Sequence, residues 1–187
     1  PQLPFLHTAS PLASVCLNLA PDHVDLFGSY EAYRAAKARI YTNTQVAAVY
    51  NVADPETERM VEEADVVEGC RAIGVTLGVP GLSMLGVVDD LMVDRAFVEN
   101  RHENAQELAS VHDVRPFAPH NVGNALAAAA LARAYGVPAS AVREGLRSFE
   151  PAGHRIADVA TVDGVRWVDD SKATNGHAAE TSLLAYE

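Results

Sequence analysis

The sequence predicts an α/β fold, and three observations carry that expectation. Short apolar runs of strand length alternate with stretches of helical periodicity. The breaks between them are Pro, Gly, Asn and Asp rather than a low-complexity linker. With 49% hydrophobic and 21% charged residues over 187 positions, the chain has globular composition and enough length to bury a sizeable core. Disorder, collagen and coiled coil are excluded as global descriptions. The formal net charge of −11 argues against nucleic acid or an anionic membrane as partner, because such binders neutralise phosphates with clustered Lys and Arg.

Residues 15–19 form an apolar run ending in Ala-Pro-Asp-His, the pattern of a buried strand leading into a loop. Ser29 offers an N-cap, with Glu31 in the first turn, for a helix running to about Tyr41. Residues 46–52 read as a second strand, and Asp54-Pro55 opens an acidic helix to about Ala64. From Cys70 to about Val114 the text changes to short β-rich pieces around Gly74, Gly78, Pro80-Gly81 and Gly86, a subregion of small strands and hairpins. Residues 121–135 form an Ala- and Leu-rich helix, apolar nearly all round and therefore buried, closed by Gly136-Val137-Pro138. Ser140 is placed to cap a helix to about Phe149, and Glu150-Pro151-Ala152-Gly153 breaks the pattern. A strand over 156–162, an Asp163-Gly164 turn, a strand over 165–168 and a helix over 175–186 complete the chain. The longest uninterrupted apolar run, 125–132, falls well short of the ~20 residues a membrane helix needs, so no membrane insertion is expected. Two cysteines, Cys16 and Cys70, cannot build a disulfide framework. With no visible signal peptide, they predict a cytoplasmic setting. Cys16, in an apolar run, reads as core rather than nucleophile.

Four constellations are able to carry chemistry. His23, flanked by Asp22 and Asp25 at the carboxyl end of a strand, either binds a cation or caps the loop. Lys37 is one of only two lysines beside twelve arginines, and shares a helix face with Tyr30, Tyr33 and Ile40. It either snorkels past the aromatics or is held as a neutral amine able to capture carbon dioxide. Asn121 and Asn124, three apart, present amides that match the edge of an adenine, unless Asn121 is merely an N-cap. Arg155 after Gly153-His154, and Asp170, Lys172 and Thr174 beyond a strand end, offer a guanidinium, a carboxylate, an ammonium and a hydroxyl, groups suited to a ribose and phosphates.

The segments LNLAPDHVD (17–25), YRAAKARIY (33–41), HNVGNALAAAALA (120–132), GHR (153–155) and WVDDSKATN (167–175) occur in the order and spacing of the Mur ligases. The chain resembles that family, and its DDSKATN run is similar to the D-glutamate-adding branch. The resemblance implies a central ATPase-type domain with a β-rich subregion over 1–150, and over 151–187 the first β-strands and helix of a Rossmann-like, amino-acid-binding C-terminal domain. It also implies roles. His23 and Lys37 would serve Mg²⁺, Lys37 as a carbamate, and these two with Arg155 would form the catalytic group. Asn121 and Asn124 would contact adenine, Arg155 and Lys172 the phosphates of ATP, and Asp170 the ribose. Thr174, with Lys172, would contact substrate. The implied activity is ATP-dependent addition of D-glutamate to UDP-N-acetylmuramoyl-L-alanine through an acyl phosphate, in peptidoglycan precursor synthesis. No G-x-x-x-x-G-K-[ST] phosphate loop occurs in these residues. Nor do they include the family's metal-binding Glu. The expectation is therefore a piece of a larger ligase, inactive alone. The alternatives are another amide ligase of the Mur or folylpolyglutamate synthase type, or a non-catalytic nucleotide- or partner-binding remnant.

Overall fold

The computed structural model describes residues 2–5, 7–22 and 24–186. Its centre is a six-stranded sheet in the order β1 (Ala13–Cys16), β2 (Ala47–Asn51), β3 (Arg71–Val75), β4 (Met84–Val88), β5 (Leu91–Asp94) and β6 (Gln106–Ser110). The first four strands run parallel, β5 turns back antiparallel to β4, and β6 reverses again, antiparallel to β5. Between β1 and β2 lie α1 (Val24–Phe27) and α2 (Tyr30–Ala38), and α3 (Pro55–Glu62) connects β2 to β3. After β6 come α4 (Pro119–Ala134) and α5 (Ala139–Ser148). A separate antiparallel hairpin, β7 (Ala157–Val162) with β8 (Val165–Asp169), leads into α6 (Gly176–Leu183). Among the described residues no helix is long and apolar enough to cross a membrane.

Parallel strands covered on both faces need apolar side chains in both directions. β2 shows this residue by residue. Ala47 and Val49 belong to the core under α4 and α5, whereas Ala48 packs with Cys16, Tyr33, Tyr41 and Met60 under α2 and α3. Tyr41, fully buried, accepts from the Cys16 backbone N–H at 2.9 Å and donates to the Val49 carbonyl at 2.7 Å, so its hydroxyl bridges two neighbouring strands. Cys16 is core, as the sequence predicted. Burial pushes its thiol above the ordinary range, an effect the Lys37 charge partly opposes, which leaves it a poor nucleophile.

Local capping was legible. Ser29 accepts from Ala32 N at 3.1 Å, Asp54 Oδ1 from Glu56 N at 3.1 Å, and Asn175 Oδ1 from Ala178 N at 2.8 Å. Asp163 and Gly164 both take positive φ, as a two-residue type I′ hairpin turn requires. Two caps fall elsewhere. The long helix starts at Pro119 with Ala118 in the cap position, so Asn121 lies inside its first turn and is not the N-cap. The next helix is entered from Pro138, without a side-chain cap from Ser140. Pro119 takes the first helical position, where its fixed φ is preset for the helix, whereas Pro138 itself occupies the cap position of the next one.

The β-rich stretch from Cys70 to Val114 forms the short strands β3 to β6, with antiparallel β4–β5 and β5–β6 pairs, and these complete the main sheet. β4 joins β3 through only two register pairs, Gly74 with Met84 and Val75 with Leu85. The connecting loop therefore matters. Its Gly78 carbonyl accepts from Val87 N at 2.8 Å, and a Cβ on Gly86 would collide with that same oxygen and lie 2.9 Å from Thr76 Cγ2. Gly86→Ala is expected to lower stability by about 1–3 kcal/mol through overpacking, read as a lower urea midpoint at unchanged slope. An unaltered midpoint would mean the loop is free to retreat.

The 151–187 stretch forms, in the described residues, the antiparallel hairpin followed by one helix.

Candidate functional site

The carboxyl ends of parallel strands, where ligands sit in open α/β sheets, open here into a cleft of about 1150 Å³. One wall is the loop after β1. Asp54, while capping α3, also accepts from Leu19 N at 2.6 Å through its other oxygen, and Asn51 Nδ2 donates to Leu17 O at 3.0 Å. These two bonds tether the loop carrying Asn18, Pro21 and Asp22 to the end of β2. α2 contributes Tyr33 and Lys37 to the same cleft. Lys37 is half-buried, with Nζ 5.7 Å from the centre of the Tyr33 ring, on the helix face predicted for it.

The first turn of α4 supplies the amides. Asn121 Nδ2 donates to Pro116 O at 3.0 Å, and Asn124 Nδ2 reaches Asn121 Oδ1 at 3.5 Å. Asn124 is exposed and its Oδ1 makes no hydrogen bond among the described residues, so it is the amide available for a two-point contact. Asn121 orients it. His120, beside them, is held below the ordinary histidine range by burial, partly offset by the Asp170 carboxylate.

The third wall is the β7–β8 unit. Lys172 N donates to His154 O at 3.2 Å, and Ile156 N to Asp170 Oδ1 at 3.1 Å. His154 Nδ1 lies 2.6 Å from Asp169 Oδ2. These bonds clip the Arg155 turn to the Asp170–Lys172 turn, so a guanidinium, a carboxylate and an ammonium face one space. Asn175 Nδ2 donates to Asp22 Oδ2 at 3.1 Å, joining this wall to the first one.

Asp169 anchors the clip. The Ser171 backbone N–H and the His154 ring hold its carboxyl at about 2, against an ordinary 3.8. A depressed carboxylate stabilises fully above its ordinary pKa and stops doing so as pH falls through the depressed one. A ¹³C carboxyl titration is expected to give a midpoint near 2, moving up towards 3.8 in His154→Ala. An ordinary midpoint in the unaltered chain would remove the pair as an anchor.

The cleft thus collects Lys37, Asn121, Asn124, Arg155, Asp170 and Lys172 from three separated stretches of sequence. Thr174 does not line it; it lies exposed between two residues that do, Ala173 and Asn175. His23 lies outside the described residues. The structure adds Arg115 and His120 to the lining; His120 stands inside a motif already noticed, and nothing in the local pattern marks Arg115. Among the described residues no three His, Cys, Asp or Glu side chains form a metal-holding group.

The cleft lies at the carboxyl end of a mainly parallel sheet in an α/β domain, lined by amides from α4 and by a guanidinium, a carboxylate and an ammonium from the β7–β8 unit, and residues 3–132 match the Mur ligase middle domain. The chain belongs to the Mur ligase family. It is 66% identical over 184 residues to the UDP-N-acetylmuramoylalanine–D-glutamate ligase of Streptomyces avermitilis, covering 97% of this chain and 39% of that protein. The same ligase of Leifsonia xyli is 57% identical over 180 residues, covering 95% and 35%. Among solved structures, MurF from Acinetobacter baumannii superposes with a TM-score of 0.63 at 19% identity, covering 92% of this chain and 36% of that one. A pseudomurein peptide ligase type C from Methanothermus fervidus gives 0.67 at 15%, covering 95% and 41%. The chain thus spans about two-fifths of the length of these relatives.

Proposed function

We propose that this chain carries the adenine-, ribose- and phosphate-contacting part of an ATP-dependent ligase that joins D-glutamate to UDP-N-acetylmuramoyl-L-alanine. The observation that carries the reading is the convergence of Asn124, Arg155, Asp170 and Lys172 on one cleft. The 66% identity to D-glutamate ligases supports the choice of amino acid. Residues 1–150 would be the central ATP-binding domain and 151–187 the opening of an amino-acid-binding domain.

Asn124, oriented by Asn121, pairs with the adenine edge, and Asp170 accepts from the ribose hydroxyls. Arg155 and Lys172 spread positive charge along the triphosphate, with the Arg fork suited to a bidentate contact. The substrate carboxylate attacks the γ-phosphorus and the bond to ADP breaks, giving an acyl phosphate. The D-glutamate amine then attacks the acyl carbon, losing a proton as inorganic phosphate departs. Such transfers depend on charge neutralisation and positioning, which is what these side chains supply. ATP enters as its magnesium complex, so the ion travels with the substrate. Thr174, exposed beside the cleft, would contact the amino acid.

Lys37 and His23 are the pair proposed to face that ion. For Lys37 to do so, its neutral amine must add to carbon dioxide, forming an N–C bond and losing a proton, so that a cation becomes an anion. With ¹³C-bicarbonate a carbamate resonance is expected in the nucleotide-loaded ligase and not in Lys37→Arg. Its absence in the loaded enzyme would leave Lys37 a plain cation on Tyr33.

The whole reading is tested by exchanging this chain for the matching segment of the Streptomyces avermitilis ligase. The chimera is expected to release phosphate from ATP only when D-glutamate and the UDP-linked substrate are both present. A folded, ATP-binding chimera that ignores D-glutamate, or answers to another amino acid, would overturn it.

A further inference from the structure

The arginines of this acidic chain are not evenly compensated. Arg34, Arg59, Arg133, Arg143, Arg147 and Arg166 each sit on a carboxylate. Arg115 and Arg155 line the cleft with no ion pair among the described residues. Arg71, Arg95 and Arg101 form a second group with no ion pair among the described residues, and this group lies elsewhere. Arg71 is the first residue of β3, and β5 runs antiparallel to β4, so the loop after Asp94 emerges at the amino end of the parallel strands. That is the end of the sheet opposite the cleft.

A concavity of about 610 Å³ lies there, lined by Arg71, Phe97, Arg101, His102 and Arg133 among others. Arg71 is fixed within it: Nη1 donates to Ala96 O at 2.8 Å and the guanidinium stacks 4.9 Å above the Phe97 ring centre. Arg95 holds the rim by donating from Nη2 to Arg101 O at 3.5 Å and from Nη1 to Pro80 O at 3.3 Å. Arg133 is spent on Asp94 and on the carbonyls of Val137 and Phe97. The carboxylate in the lining, Glu99, is exposed and pairs with none of these cations. Burial and the neighbouring charge of Arg101 both disfavour the charged form of Arg71, with Asp94 giving partial relief. A guanidinium that is half-buried, immobilised by stacking and repelled by a second guanidinium is an arrangement a bound dianion would stabilise.

We propose that this concavity is a second anion site, distinct from the nucleotide cleft, that binds a compact phosphate or diphosphate group between Arg71 and Arg101. The stacked Arg71 gives a fixed fork, and Arg101 adds a second guanidinium to the same lining. A volume of about 610 Å³ is within the range of small-ligand sites and accommodates the phosphates alone or with a small carrier.

The test is a titration of the chain with inorganic pyrophosphate, followed by backbone amide shifts, in the unaltered chain, R101Q and R155Q. Saturable shifts over residues 96–102 are expected, weakened roughly tenfold in R101Q and kept in R155Q. ADP in place of pyrophosphate separates a free diphosphate from a nucleotide tail: shifts over 96–102 with both assign the site to the diphosphate group whatever its carrier. Shifts confined to the cleft, shifts over 96–102 that R101Q does not weaken, or the same shifts from sodium chloride of equal ionic strength would each overturn the proposal. R101Q changes a half-buried loop side chain with no side-chain hydrogen bond of its own among the described residues, and a circular dichroism spectrum matching the unaltered chain confirms that it folds.

Discussion

Asp94→Ala is expected to destabilise the chain by about 3–5 kcal/mol, because it strips the partner from a guanidinium held inside the protein. Asp94 is fully buried. Its Oδ2 accepts from Arg133 Nε at 2.9 Å, while Oδ1 accepts from Ala96 N at 2.7 Å and Phe97 N at 2.8 Å. Arg133 is 14% exposed and spends its remaining donors on Val137 O at 2.7 Å and Phe97 O at 3.0 Å. The pair therefore ties the end of α4 to the end of β5 and to the loop that follows it. Alanine leaves the cation without its counter-charge and the Ala96 and Phe97 N–H groups without their acceptor. Against a typical domain stability of about 5–15 kcal/mol, that is enough to populate the unfolded state. Asp94→Asn keeps acceptors for the backbone groups and should cost less. Replacing both partners, Asp94→Leu with Arg133→Met, should cost less than the sum of the single changes, because no charge is then stranded. Chemical denaturation of the unaltered chain, Asp94→Ala, Asp94→Asn, the double change and its two single changes checks this, and a loss below about 1 kcal/mol in Asp94→Ala would show the pair to be dispensable.

The second large effect is expected at the cleft. Arg155→Ala should weaken ATP binding by about tenfold to a hundredfold, the value of a charge-assisted contact or two, and Lys172→Ala by a similar factor. Adenosine should bind both variants as it binds the unaltered chain, since it has no phosphates for them to touch. Asn124→Ala should reverse the pattern, weakening adenosine and ATP alike. Calorimetry with adenosine, ADP and ATP separates the two walls. Equal losses for adenosine and ATP in Arg155→Ala would place Arg155 away from the phosphates.

These two expectations differ in how far the sequence could have supplied them. Arg155, Asp170 and Lys172 stood out because polar groups crowded a strand-to-helix junction, more than a helix cap needs. Asp94 and Arg133 are 39 positions apart in stretches with no local oddity, and only packing makes them partners. The same distinction separates the caps. Ser29, Asp54 and Asn175 bond to N–H groups two or three residues away, so neighbours in sequence suffice. Asn121 and Ser140 had the right chemistry, but proline-led entries at Pro119 and Pro138 set the helix starts earlier.

By itself, the sequence determined the α/β class, the run of helices and strands, the buried face bearing Lys37, and the set of groups suited to a nucleotide. Each rests on periodicity, capping or turn chemistry, which act over a few residues. The tertiary structure decided that β3 to β6 extend one sheet, that three distant stretches wall a single cleft with Thr174 outside its lining, and that Arg71 and Arg101 line one concavity at the opposite end. Those outcomes depend on strand register and loop closure between residues tens of positions apart, where no local pattern fixes which partner is met.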